Sequence, residues 1–290
     1  MILVTGATGP LGATTIDFLL KKGTPANTIA ALVRDEAKAG DLKGKGVTIL
    51  IGDYDNYASL VAAFKGIDKL FFVSGSDVMQ RGQQHENVVK AAKEAGVGHV
   101  VYTSFIRKNE TETSPIYIVA KTHLATEAAL KESGLTYTIL RNNIYADLLP
   151  MFIGPNVLET GVFLPAGDTP VAFTLRSDMA EAAANILSST GHENKDYAIS
   201  NTEAVTFHDI ARIISEASGK AVGYVSPEPA AFVEILKQAG VPAEMLGVTA
   251  GFAEAFKQGE FSSTETDLET LLGHKPISVK AFLSGVYGGK

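Results

Sequence analysis

The feature that most constrains the fold is a rhythm. Over its first 140 residues the chain alternates short apolar runs with longer amphipathic stretches. Ile2–Thr5, Thr28–Val33, Val47–Ile51, Lys69–Val73, His99–Thr103 and Thr136–Leu140 read as strands. Leu11–Lys22, Ala58–Phe64, Gln83–Ala95 and Ile116–Glu132 read as helices between them. The runs lack a clear period of two, which suits strands buried on both faces. Strands separated by helices imply βαβ units, and right-handed crossovers make an open, doubly wound parallel sheet the economical α/β arrangement.

The rhythm changes after about residue 150. Short strands are expected at Gly161–Pro165, Val171–Thr174, Tyr197–Ser200 and Val222–Val225. Helices are expected at Asp178–Leu187, Asp209–Ala217, Ala230–Gln238, Glu244–Lys257 and Ser278–Val286, with Thr206 an N-cap and Gly219 a stop. This reads as a Rossmann-like domain over residues 1–150 and a smaller, mainly helical C-terminal lobe over 151–290, with the chain free to cross back.

Composition narrows the function classes. The 290 residues suffice for a large core, and a net charge of −7 without Lys/Arg runs argues against nucleic-acid binding. The absence of cysteine excludes disulfides, cysteine nucleophiles and thiolate metal sites. The six histidines show no metal-ligand spacing, so no metal is expected. His123 and Glu127, four residues apart, read as a helix-surface pair, and Asp267 and Glu269 as part of a solvated acidic face. With no signal-peptide pattern and no apolar span of about 18 residues, a soluble cytoplasmic protein without a membrane segment is expected.

The strongest local motif is Gly6-Ala7-Thr8-Gly9-Pro10-Leu11-Gly12, between the first strand and the first helix. Gly6 suits the tight turn, Gly9 the close approach of a pyrophosphate, and Gly12 the packing of helix on sheet. The helix start offers free N–H groups to phosphate, and Pro10 is tolerated there. The spacing is GxxGxxG rather than GxGxxG; its placement after an N-terminal strand is what gives it weight.

The second strand ends in Arg34-Asp35. An acidic residue there favours NAD, whereas Arg can pair with the 2′-phosphate of NADP, and Arg34 tips the reading to NADP. Asp53 and Tyr54 follow the third strand, where an adenine would lie, and Ser74-Gly75-Ser76 follow the fourth, along the cofactor. Turn chemistry would account equally for Asp53 and Tyr54.

The series LVTGATGPLG, ALVRD, GDYDN, FFVSGS, VVYTSF, ILRNNIYAD and PAGDTPVAFTLRSDMAEAAANIL resembles the NmrA-like branch of the atypical short-chain dehydrogenase/reductases over nearly the whole chain. It is most similar to the members that reduce quinones and triphenylmethane dyes. The resemblance implies NADPH as cofactor, no flavin, and direct hydride transfer to a quinone or conjugated aromatic acceptor. By motif position it places Gly6–Gly12, Arg34 and Ser74–Ser76 on the cofactor. The loop Arg141–Tyr145, with Asn142 and Asn143, falls at the nicotinamide end.

Tyr117 and Lys121 have the YxxxK spacing of many short-chain dehydrogenases, in which Lys lowers the Tyr pKa for proton transfer. Thr103 or Ser104 could complete such a carbonyl-reducing site, and Thr103 also stands among the expected cofactor contacts. The quinone- and dye-reducing members generally lack this pair, so chance spacing on a helix is the rival reading. Phe105, Tyr145, Leu148, Leu149, Met151 and Phe152 are candidates for an apolar acceptor wall. A non-catalytic NAD(P)-binding redox sensor and a Tyr117/Lys121 carbonyl reductase remain the alternatives to quinone or dye reduction. The partner expected is a small-molecule acceptor, with a homodimer left open.

Overall fold

The computed structural model describes residues 1–289. Nine strands are present among them: β1 (Ile2–Val4), β2 (Ile29–Val33), β3 (Thr48–Ile51), β4 (Lys69–Phe72), β5 (His99–Phe105), β6 (Tyr137–Asn142), β7 (Val162–Phe163), β8 (Lys195–Ile199) and β9 (Tyr224–Val225). Seven of them form one parallel sheet in the order β3-β2-β1-β4-β5-β6-β8. All five residues of β2 are buried, as are the first six of β5, which is why these strands carry no polar alternation.

The helices between the first six strands are α1 (Pro10–Lys21), the short α2 (Gly40–Gly44), α3 (Tyr57–Phe64), α4 (Arg81–Ala95) and α5 (Tyr117–Glu132). They are followed by α6 (Leu149–Ile153), α7 (Val157–Thr160), α8 (Arg176–Leu187), α9 (Phe207–Ser218), α10 (Pro229–Gln238), α11 (Ala243–Lys257), α12 (Leu268–Leu272) and α13 (Val279–Tyr287). Pro10 occupies the first turn of α1, Asn56 accepts the Ser59 N–H to start α3, and Gly96 ends α4 in the left-handed conformation. Thr206 caps α9 and left-handed Gly219 closes it, as the sequence suggests, and the structure adds Asp209 as the second half of a capping box.

Three cores result. One lies under α1, α8 and α12, with Leu11, Ile16, Leu19, Met179 and Ile186 against Phe71 and Val101. A second lies on the opposite sheet face under α3, α4 and α5, around Phe64, Phe72 and Tyr102. The third holds the C-terminal elements together around Phe173, Phe207, Phe256 and Phe261.

The second half of the chain does more than build a lobe. Its strand near 197–200 is β8, which pairs with β6 and extends the main sheet to seven strands. Helix α8 packs on α1, beneath the same sheet. Val171–Thr174 is not a strand: Val171 makes one isolated bridge to Val205 and Thr174 another to Tyr145, so the segment is a buried tie between elements. Asp267 is not merely solvated acid; its carboxylate accepts the Ala198 N–H at 2.8 Å and anchors α12 to β8.

Candidate functional site

Because the sheet is wholly parallel, the carboxyl ends of its strands share one edge. The order reverses between β1 and β4, and a ligand crevice forms where connections diverge to opposite faces. A cleft of about 820 Å³ lies there, walled by the loops after β1 to β6 and by Phe252 of α11.

The turn after β1 forms its floor. Gly6 has φ +57°, a conformation that side chains disfavour, and its carbonyl accepts the Gly9 N–H at 2.9 Å. A Cβ on Gly12 would fall 2.4 Å from that same carbonyl oxygen, so only glycine lets α1 begin this close to the turn. Gly6, Thr8, Gly9, Pro10, Leu11 and Gly12 line the cleft, whereas Ala7 is fully buried beneath them. The result is a turn at a helix N-terminus whose glycines leave backbone open to the cleft, a surface of the kind that accepts phosphate.

At one end Arg34 is exposed on the wall and makes no ion pair among the described residues. Its neighbour Asp35 instead caps the following 3-10 turn, accepting the Ala37 N–H at 2.9 Å. The acid is thus committed to the backbone and the base is free. Asp53 and Tyr54 also line this end. The Tyr54 hydroxyl is held 2.8 Å from the Val73 carbonyl and contacts Thr5 Oγ1, so the ring rather than the hydroxyl is what it can offer.

Ser74, Gly75 and Ser76 run along the middle of the cleft. Thr103 does not reach it; the residue is buried and accepts the Ser74 N–H at 2.9 Å, which positions that loop from behind. Asn142 is likewise buried off the wall, and its amide makes no hydrogen bond of normal geometry among the described residues. Asn143 lines the cleft, but its amide is spent on the interior: it donates to Ser200 Oγ at 2.8 Å and accepts the Ile144 N–H at 2.7 Å.

The far end is apolar and aromatic. Phe105, Tyr145 and Leu148 line it, together with Ile144, Val119 and Phe252. Phe152 stands behind this wall, packed on Phe252 and Phe256, Leu149 is fully buried, and Met151 is exposed away from the cleft.

Tyr117 and Lys121 are not brought to the cleft. Val119 and His123 line it, and on a helix residues two apart point in nearly opposite directions. Lys121 is therefore exposed to solvent.

Several wall residues carry no local sequence signal. Arg81 and Arg176 each open a helix, α4 and α8, and enter the cleft from opposite sides of the sheet. Arg176 sits 5.6 Å from the Tyr145 ring centroid. His123 and Glu127 share a helix face, yet both are buried and have separate partners. Glu127 pairs with Arg107 at 2.9 Å and Arg141 at 2.8 Å, and accepts the hydroxyl of Ser104. Burial would raise its carboxyl, but these donors outweigh burial and hold it below the usual range.

The sequence pattern of the NmrA-like family matches residues 1–283. Quinone oxidoreductase 2 of Escherichia coli K12 is 39% identical over 289 residues, covering 99% of both chains. The crystal structure of the E. coli NADPH-dependent quinone oxidoreductase with NADPH superposes with a TM-score of 0.92 at 36% identity, covering 99% of this chain and 100% of that one. The Citrobacter sp. triphenylmethane reductase complexed with NADP(H) gives 0.90 at 38% identity, with the same coverage.

Proposed function

We propose that this chain, which belongs to the NmrA-like family, is an NADPH-dependent reductase that passes hydride to a quinone or a conjugated aromatic acceptor such as a triarylmethane dye. The observation that carries this reading is one continuous cleft, with a glycine turn and an Arg34 without an ion pair among the described residues at one end and an aromatic pocket at the other. Full-length likeness to a quinone oxidoreductase and a dye reductase, each solved with this cofactor, supports it.

The residues present fit a dinucleotide. Gly6, Gly9 and Gly12 would hold the pyrophosphate, Arg34 the 2′-phosphate, Tyr54 the adenine face, and Ser74–Ser76 the stretch toward the nicotinamide. When bound, NADPH supplies the hydride, and no flavin is needed. The protein's part is positioning: Tyr145, Leu148, Phe105 and Phe252 enclose a flat acceptor and exclude water from it. Residues 1–150 would then serve mainly the dinucleotide and 151–290 mainly the acceptor, with α8 and β8 returning to the sheet. One chain builds the whole cleft, so a homodimer is not required by this function. No helix among the described residues is long and apolar enough to cross a membrane, and a cytoplasmic setting is part of the proposal.

The test is NADPH absorbance loss by the purified protein with quinones, triarylmethane dyes and simple carbonyls. Loss is expected with quinones or dyes, and a Tyr117→Phe variant is expected to match the wild type within about twofold, since a residue off the wall makes no contact with the transition state. NADPH binding without consumption across the panel would instead mark a redox sensor. Severe loss in Tyr117→Phe would restore the carbonyl-reductase reading.

Arg34→Ala is expected to weaken NADPH binding about tenfold to a hundredfold, the worth of a charge-assisted hydrogen bond, and to leave NADH nearly unchanged. Equal effects on both cofactors, measured by fluorescence titration, would remove Arg34 from the 2′-phosphate.

A further inference from the structure

A chain of buried hydrogen bonds leads to one ring on the cleft wall. The Gly75 backbone N–H donates to Nε2 of His85 at 3.0 Å. A backbone N–H is always a donor, so the proton of neutral His85 lies on Nδ1, which faces Thr126 Oγ1 at 2.9 Å. The hydroxyl of Thr126 donates onward to the Thr122 carbonyl at 2.7 Å. Tyr102 therefore cannot donate to His85, whose Nδ1 is 3.4 Å away and protonated. Its hydroxyl reaches Nδ1 of His123 at 2.8 Å, closer than it comes to His85, and also interacts with Thr126. With the Tyr102 hydroxyl donating along this shortest contact, Nδ1 of His123 is an acceptor and the proton of the neutral ring sits on Nε2.

The groups around His123 keep it neutral. Burial acts first, and the guanidinium of Arg81, the ring of His85 and the guanidinium of Arg107 add to it, holding the imidazole well below its ordinary range. His85 is pushed down to about 3 by burial and by Arg81. His123 is 4% exposed and lines the cleft between Val119 and Phe105. Nε2 has no hydrogen-bond partner among the described residues, although its ring is surrounded by Tyr102, Phe105 and His85.

We propose that Nε2–H of His123 donates a hydrogen bond to the oxygen of a quinone acceptor and favours quinones over cationic dyes, an inference that rests on the reductase reading above. The acceptor takes up a hydride, two electrons with one hydrogen nucleus, from the reduced nicotinamide, which is oxidised. Negative charge develops on the quinone oxygen and is later neutralised by a proton from water. His123 keeps its own proton throughout; it stabilises the oxyanion as a fixed donor in a dry site. A cationic triarylmethane dye loses its charge on taking hydride and forms no oxyanion, so the donor has nothing to stabilise there.

Three measurements test this. Histidine 15N shifts in the ligand-free protein are expected to show His123 as the neutral Nε2–H tautomer; an Nδ1–H tautomer overturns the assignment. His123→Phe is expected to lower kcat/KM for quinones about a hundredfold, the usual worth of one oxyanion donor, with NADPH affinity unchanged and dye reduction within about threefold. His123→Gln, which restores an amide N–H, is expected to recover about tenfold of that loss. Equal losses on quinone and dye, or equal losses in the Phe and Gln variants, would make His123 a packing residue. If the wild type reduces dyes but not quinones, the quinone role of His123 fails while the reductase reading stands. If it reduces neither, the reductase reading itself fails. If it reduces quinones alone, the Phe–Gln comparison decides.

Discussion

Gly12→Ala is expected to lower NADPH affinity by more than about a hundredfold while leaving the protein folded, because a misplacement near 1 Å in a positioning group costs about that much. The added Cβ would lie 2.4 Å from the Gly6 carbonyl oxygen, 2.8 Å from its carbon and 3.0 Å from Ala7 Cα. These are backbone atoms, and no side-chain rotation relieves them. Either the turn or the start of α1 must move, and both would supply the N–H groups proposed to hold the phosphates. Overpacking of this kind costs about 1–3 kcal/mol of stability, so a fall of about 2–10 °C in Tm accompanies the binding loss. Fluorescence titration with NADPH and a thermal melt check the two effects separately. Near wild-type affinity would show that the glycine turn is not the phosphate site.

Glu127→Ala carries the second large effect, this time on stability. The carboxylate is buried among Arg107, Arg141 and Ser104, and the Arg107 side chain is only 1% exposed. Removing the acid leaves that buried guanidinium with only the exposed Glu110 carboxylate, at 3.0 Å, and takes a partner from Arg141 as well, a loss of about 3 kcal/mol. Because Glu127 titrates below its unfolded value, the stabilisation is fully present above the ordinary carboxylate pKa and disappears as pH falls through the depressed one. Urea unfolding at neutral pH should therefore separate variant and wild type widely, and the gap should close as the pH is taken below the ordinary carboxylate range. A gap independent of pH would mean that the loss is packing rather than charge.

Local chemistry accounts for what could be read early. The burial of strands on both faces leaves apolar runs, and the turn after β1 leaves glycines at three-residue spacing. Thr206, Asp209 and Gly219 announce both ends of α9 within their own few residues. Arg34 and Asp35 are adjacent, so their rivalry for the ribose was visible too, although which one is free depended on Asp35 capping a short 3-10 turn. The YxxxK spacing of Tyr117 and Lys121 is an equally local pattern, and it points at chemistry that the cleft does not hold.

What sequence alone determined is therefore the layered α/β architecture, the glycine turn after β1 and the strand ends that line the cleft, because each depends on residues close together in the chain. What only the tertiary structure decided is which side of each helix meets the cleft. The rotation of α5 about its axis, set by packing on β5 and β6, presents Val119 and His123 and turns Lys121 to solvent. The same packing brings Gly75, His85, Tyr102 and His123, drawn from one loop, two helices and a strand, into a single hydrogen-bonded order. No spacing rule anticipates that order, because hydrogen bonds between distant elements exist only once the elements have docked.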